Sequence, residues 1–231
     1  MGDEEKPKSG KELEYREFES KNFSFANVAK VAVPRKRGDL LGHATEYHYA
    51  EKYKNTEHVF ELTNIFSEII SKLNAELNPS VSGKGPYVLG ELNIDTHGRS
   101  GEYNLRFTPK DSDEWVSPEE LEKYLKEWER TSPMMRHNLV QIRERLDSSS
   151  TIWLRGCNIG KYKRVLELLR EMFWNKPKVC GYDLTAQLKY TYEPPMSNKK
   201  ITSTQEVLLG KGGREYPEGT PEFEKHVICV P

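Results

Sequence analysis

Two short apolar segments, Tyr87–Ile94 (YVLGELNI) and Ile152–Leu154, each stop abruptly beside a glycine and a chemically active side chain. The first runs into Asp95-Thr96-His97-Gly98, the second into Arg155-Gly156-Cys157. The 60 residues that separate His97 from Cys157 read mostly as helix and loop. A strand, a helical crossover and a second strand is the arrangement that joins parallel strands in one sheet. If the crossover returns beside its starting strand, the two strand ends lie about 5 Å apart.

The rest of the chain extends the alternation. Phe23–Val33 (FSFANVAKVAV) reads as a strand ended by Pro34 and the basic turn Arg35-Lys36-Arg37-Gly38, and 39–58 as a loop with some helix. Leu62, Ile65, Phe66, Ile69, Ile70, Leu73 and Leu77 recur at helical spacing up to Asn78-Pro79. After the Gly- and Ser-rich stretch 80–86 and the strand Tyr87–Ile94, 99–115 reads as a polar loop with a small hairpin. Ser117-Pro118-Glu119-Glu120 is a helix start, with serine as cap, proline in the first turn and acids at the positive end of the dipole. Leu121, Tyr124, Leu125 and Trp128 mark that helix, and Leu139, Ile142 and Leu146 mark a second. A third is expected to carry Tyr162, Val165, Leu166, Leu169, Met172 and Phe173 inward. Lys178–Tyr192 reads as a strand entering a loop or second strand, and 201–210 and 226–230 as two more. The expected fold is an α/β sandwich with a mainly parallel sheet and helices on both faces. Residues 1–21, charged and poor in core side chains, are expected to form a flexible tail before one domain over 22–231.

Bulk properties narrow the function. A net charge of -1 gives no electrostatic footprint for nucleic acid or an anionic membrane. No apolar run approaches the roughly 20 residues that span a bilayer, and the N-terminal stretch has no apolar signal core. Three cysteines make no disulfide framework, so a reducing, cytoplasmic setting is the expectation. His43, His48, His226, Cys180 and Cys229 lack paired ligand spacing, and no metal is expected. Gly210–Gly213 (GKGG) lacks the Walker pattern and reads as a hairpin turn. The arginine that a phosphatase loop needs after its cysteine is out of register, since Lys163 and Arg164 stand there.

Parallel sheets react at the carboxyl ends of their strands, and both His97 and Cys157 stand at such ends. An imidazole beside a thiol favours thiolate, and a helix starting after Cys157 would lower the thiol pKa further. Gly98 and Gly156 leave backbone uncovered, so amides can approach a developing oxyanion. These are the parts of acyl transfer to a thiolate; a buried structural thiol and a turn histidine are the plainer alternative.

"Apolar strand, His-Gly" followed by "apolar strand, Gly-Cys, helix" resembles the caspase-like (clan CD) cysteine peptidases. YVLGELNIDTHGRSG and STIWLRGCNIG look most like the bacterial branches, the self-cleaving peptidase domains of large toxins and the CHAT peptidases. The resemblance covers roughly 87–190. It implies a His97–Cys157 dyad, oxyanion donation by the Gly98 and Cys157 amides, and a protein or peptide substrate that includes the parent polypeptide. It also implies a specificity pocket built partly by the strand after the nucleophile, around Cys180–Gln187, with Asp183 selecting a basic residue and Arg155 a further substrate contact. No cofactor is implied. The toxin domains are activated by inositol hexakisphosphate on a basic face and a β-hairpin, and Lys199, Lys200, Lys211 and Arg214 would supply such a hairpin here. A toxin origin would place the chain in a host cytoplasm. The competing expectation is a caspase-like binding or assembly module with an idle dyad.

Overall fold

The computed structural model describes residues 19–26, 38–61, 63, 65–80, 86–99, 102–103, 116–193 and 200–231. In chain order these form β1 (Ser20–Ala26), α1 (Gly38–Lys52), β2 (Glu57–Glu61) and α2 (Phe66–Leu77). Next come β3 (Val88–Asp95) and a two-stranded hairpin of β4 (Gly98–Arg99) and β5 (Glu102–Tyr103). α3 (Pro118–Thr131) and α4 (Pro133–Arg143) lead into β6 (Thr151–Arg155), α5 (Lys163–Met172) and β7 (Lys178–Tyr182). β8 (Thr185–Glu193), β9 (Lys200–Leu209), β10 (Glu215–Pro217), α6 (Pro221–Glu224) and β11 (Val227–Val230) complete it.

Six strands form a central sheet in the order β11-β7-β6-β3-β1-β2, parallel except for the antiparallel edge strand β11. The crossover from β3 does return beside its own strand: β3 and β6 are neighbours, with Asp95 opposite Arg155.

Period-two alternation gives this sheet two different faces. Phe23, Phe25, Leu92, Ile94, Ile152, Leu154 and Val179 point one way into the main core, against the apolar sides of α2, α3, α4 and α5. The opposite face carries Ser24, Asn93, Trp153 and Cys180 in one register row, and Asp95 and Arg155 in the next. It is covered by α1 and by Tyr53 just past its end, whose hydroxyl accepts from Asn93 Nδ2 at 2.7 Å, and by a second sheet of β8, β9 and β10. A parallel strand buried on both faces can carry polar residues only if they are paired, and that polar layer is where the site lies.

Local signals act as their chemistry dictates. Ser117 caps α3 by accepting from Glu120 N–H while Glu120 accepts from Ser117 N–H, a reciprocal capping box with Pro118 in the first turn. Three expectations need correction. Ser20 and Lys21 belong to β1 rather than to a tail, and the strand expected to run to Val33 is described only to Ala26; residues 1–18 and 27–37 lie outside the described residues. Residues 39–58 are not a loop but nearly all of α1 and the start of edge strand β2. Among the described side chains, the buried apolar ones here are Ala44, Tyr49 and, just past α1, Tyr53, residues that leave only a faint periodicity in sequence. Cys180 and Cys229 are bonded to each other, because antiparallel pairing of β7 and β11 sets them directly opposite with Cα atoms 4.1 Å apart. Cys157 is left as the free cysteine. No helix among the described residues is long and apolar enough to cross a membrane.

Candidate active site

The site starts from strand register. Asp95 and Arg155 are paired, and Thr96 N–H donates to the Arg155 carbonyl at 2.8 Å, extending the ladder one step. Two residues beyond this pair on each strand stand His97 and Cys157, so imidazole and thiol leave the sheet at equivalent positions of adjacent strands. Both line one cavity of about 150 Å³, closed on its other sides by α1, by Ala186–Leu188 of β8 and by Glu206 of β9. His97 is exposed at its rim and Cys157 is half-buried. The thiol donates to the Ala186 carbonyl at 3.7 Å, a contact from the neighbouring sheet.

Gly98 and Gly156 are what let the two strand ends close on each other. A Cβ at Gly98 would stand 2.3 Å from the Cys157 carbonyl oxygen, and one at Gly156 would stand 2.5 Å from that of Thr96. Both obstacles are backbone atoms that cannot swing aside. The expected helix start at Cys157 is displaced: Asn158 takes a left-handed conformation (φ 61°), Ile159–Lys161 form a 3-10 turn, and α5 begins only at Lys163. Helix-dipole effects fade within the first turn, and the first residue of α5 stands six residues beyond Cys157.

Arg155, expected as a substrate contact, is a buried strut at the cavity floor, 4 % exposed. Its Nε donates to Asn93 Oδ1 at 2.9 Å, and Nη1 donates to the Tyr182 hydroxyl at 2.7 Å and to Glu206 Oε2. Its guanidinium also lies 4.9 Å over the Trp153 ring. Burial works against its charge, but Glu206 and its other neighbours outweigh this and hold the guanidinium charged. The strut ties the Cys157 strand to the β8–β9 sheet that covers the thiol. Asp183 is not among the cavity's lining residues. It pairs with His226 at 2.9 Å, joining the end of β7 to the start of β11.

The acids that do face the cavity are Asp95 and Glu206. Burial pushes the Asp95 carboxyl up to about 7, against the nearby Arg155 charge and a Tyr49 hydrogen bond. Its Oδ2 is sealed from solvent without a partner. His48 of α1 lines the same wall. Of the basic residues expected for a polyanion, Lys211 and Arg214 are exposed on the β9–β10 turn, with Arg214 5.5 Å over Tyr216. Lys199 and the Lys200 side chain lie outside the described residues. Gly210–Gly213 form the expected hairpin turn.

Asp95 carried a sequence signal, since Asn93 and Asp95 alternate with Leu92 and Ile94 and so mark a polar inner face. Glu206 and His48 carried none, because their side-chain hydrogen-bond partners stand on other elements, 24 or more residues away in the chain. No known family model matches this chain, and no curated protein matches it.

Proposed function

We propose that this chain is a cysteine endopeptidase acting through Cys157 and His97. The observation that supports it most is their equivalent placement on two adjacent parallel strands, at the carboxyl ends and in one cavity. The Cys157 thiolate adds to the scissile carbonyl carbon, and the Gly98 and Cys157 amides receive the oxyanion, as the resemblance to caspase-like peptidases implies. The C–N bond breaks as the His97 imidazolium gives its proton to the leaving amine. His97 then takes a proton from water, whose hydroxide attacks the thioester and releases Cys157. The thiol must first leave the Ala186 carbonyl, by rotation about its own χ1 or by movement of β8, a step that suits an enzyme switched on by a ligand, a partner or its own parent chain.

That same contact favours the second reading, an idle dyad in a binding module, because the thiol is engaged by backbone rather than by imidazole. The two separate on alkylation. A working dyad reacts with a peptidyl acyloxymethyl ketone at Cys157 well below the ordinary thiol pKa of about 8.5. Cys157→Ala abolishes that labelling, and His97→Ala moves the rate profile up to the ordinary thiol range. A wild-type profile already at about 8.5 and indifferent to His97→Ala establishes the idle dyad.

A further inference from the structure

One wall of the cavity region brings together His48 of α1, Glu206 of β9 and Glu218 just beyond β10, with one potential ligand atom of each within 4.8 Å of the others. The chain path explains the meeting. The Glu218 N–H donates to the Glu206 carbonyl at 2.9 Å, which folds the segment after β10 back onto β9, and α1 packs against β9 from the other side.

Three observations bear on what this cluster holds. His48 Nε2 is sealed from solvent and has no hydrogen-bond partner, a condition that costs on the order of 1–3 kcal/mol. Its Nδ1 lies 3.4 Å from the Thr204 hydroxyl; with Nδ1–H donating there, the Nε2 lone pair faces the two carboxylates. The second observation is a distance. Nε2 stands 3.8 Å from Glu218 Oε2, beyond the roughly 3.2 Å limit of a hydrogen bond and too close for a bridging water with two bonds of about 2.8 Å. It is near the edge, about 3.4 Å, of a tetrahedron of ligands bound to zinc at about 2.1 Å.

The third is charge. Among the described residues, the cations that face Glu91, Glu206 and Glu218 in this ion-pair cluster are Lys52 and Arg155. Arg155 takes Glu206 Oε2, while Lys52 lies 3.8 Å from Glu218 Oε1. Each carboxylate thus keeps its other oxygen for a ligand while the cations hold it in place, as outer partners of metal ligands do.

We propose that His48, Glu206 and Glu218 bind a divalent transition metal of the zinc class, clamping α1 to the β9–β10 limb beside the Cys157 cavity. The imidazole selects against magnesium and calcium, which take oxygen ligands. No paired spacing announces such a site, because its ligands come from three separate parts of the chain; the expectation that His48 is one of several scattered histidines is revised accordingly.

The test does not depend on peptidase activity. The Cys157→Ala chain, which removes the competing thiol, is titrated with zinc chloride by calorimetry, with magnesium chloride in parallel. One zinc per chain is expected, with no magnesium binding. His48→Ala and Glu218→Gln in the same background should each weaken zinc at least tenfold, and His48→Ala should change the visible spectrum of the cobalt-substituted protein. Glu218, with its side chain 32 % exposed, tolerates glutamine without unfolding and keeps the test decisive if His48→Ala does not fold. Absence of stoichiometric zinc binding, or affinity unchanged by Glu218→Gln, overturns the proposal.

Discussion

Replacing Arg155 with methionine tests the strut directly. Arg155 and Glu206 have side chains 3 % and 9 % exposed and form an ion pair. Removing the cation strands the Glu206 carboxylate with the Tyr182 hydroxyl, 3.0 Å away, as its remaining donor, and it also frees Asn93 Oδ1. Breaking one side of a buried pair costs about 3–5 kcal/mol, a large fraction of the roughly 5–15 kcal/mol that holds a domain folded. Urea denaturation followed by tryptophan fluorescence reads it. Adding Glu206→Gln removes the stranded charge, so the double variant should regain about 1 kcal/mol or more over Arg155→Met alone, a coupling that a double-mutant cycle isolates. The strut also holds the covering sheet over the thiol, so Cys157 should alkylate faster in the native single variant. A loss below about 1 kcal/mol, or strictly additive substitutions, would refute the buried-pair reasoning.

Gly98→Ala should destabilise by about 1–3 kcal/mol and suppress Cys157 labelling, because its Cβ meets the Cys157 carbonyl rather than a movable side chain; thermal melts and probe labelling read the two effects. Asp95, raised by burial to about 7, is protonated in the folded chain and ionised in the unfolded chain between about pH 4 and 7. The folded state binds more protons there, so stability falls as pH rises through that window, by up to about 4 kcal/mol. Asp95→Asn should flatten this slope in melts taken across it, and an unchanged slope would remove Asp95 as the cause. Cys180 and Cys229 close a loop of 49 residues, so reduction or Cys229→Ser should cost about 4 kcal/mol by the loop-entropy relation, read as a lower Tm in reductant.

Sequence alone determined much of this molecule because its signals are local. The stripe of Ile69, Ile70, Leu73 and Leu77, the Ser117–Glu120 cap and the strand-stop pairs His97-Gly98 and Gly156-Cys157 depend on neighbours within a turn or two. They placed α2 to α5 and the parallel pair β3 and β6, and through it the equivalence of His97 and Cys157. Tertiary structure alone decided what occupies the polar face of the sheet. Register put Asp95 beside Arg155 and Cys180 opposite Cys229, and packing of α1 and the β8–β10 sheet brought His48 and Glu206 to the cavity wall with Glu218 beside them. It also left Asp183, paired with His226, outside the cavity that Asp95 and Glu206 line. Such meetings join residues far apart in the chain, and no periodicity or spacing encodes them. They follow from which faces the hydrophobic effect turns inward and from the partners that buried charges then require.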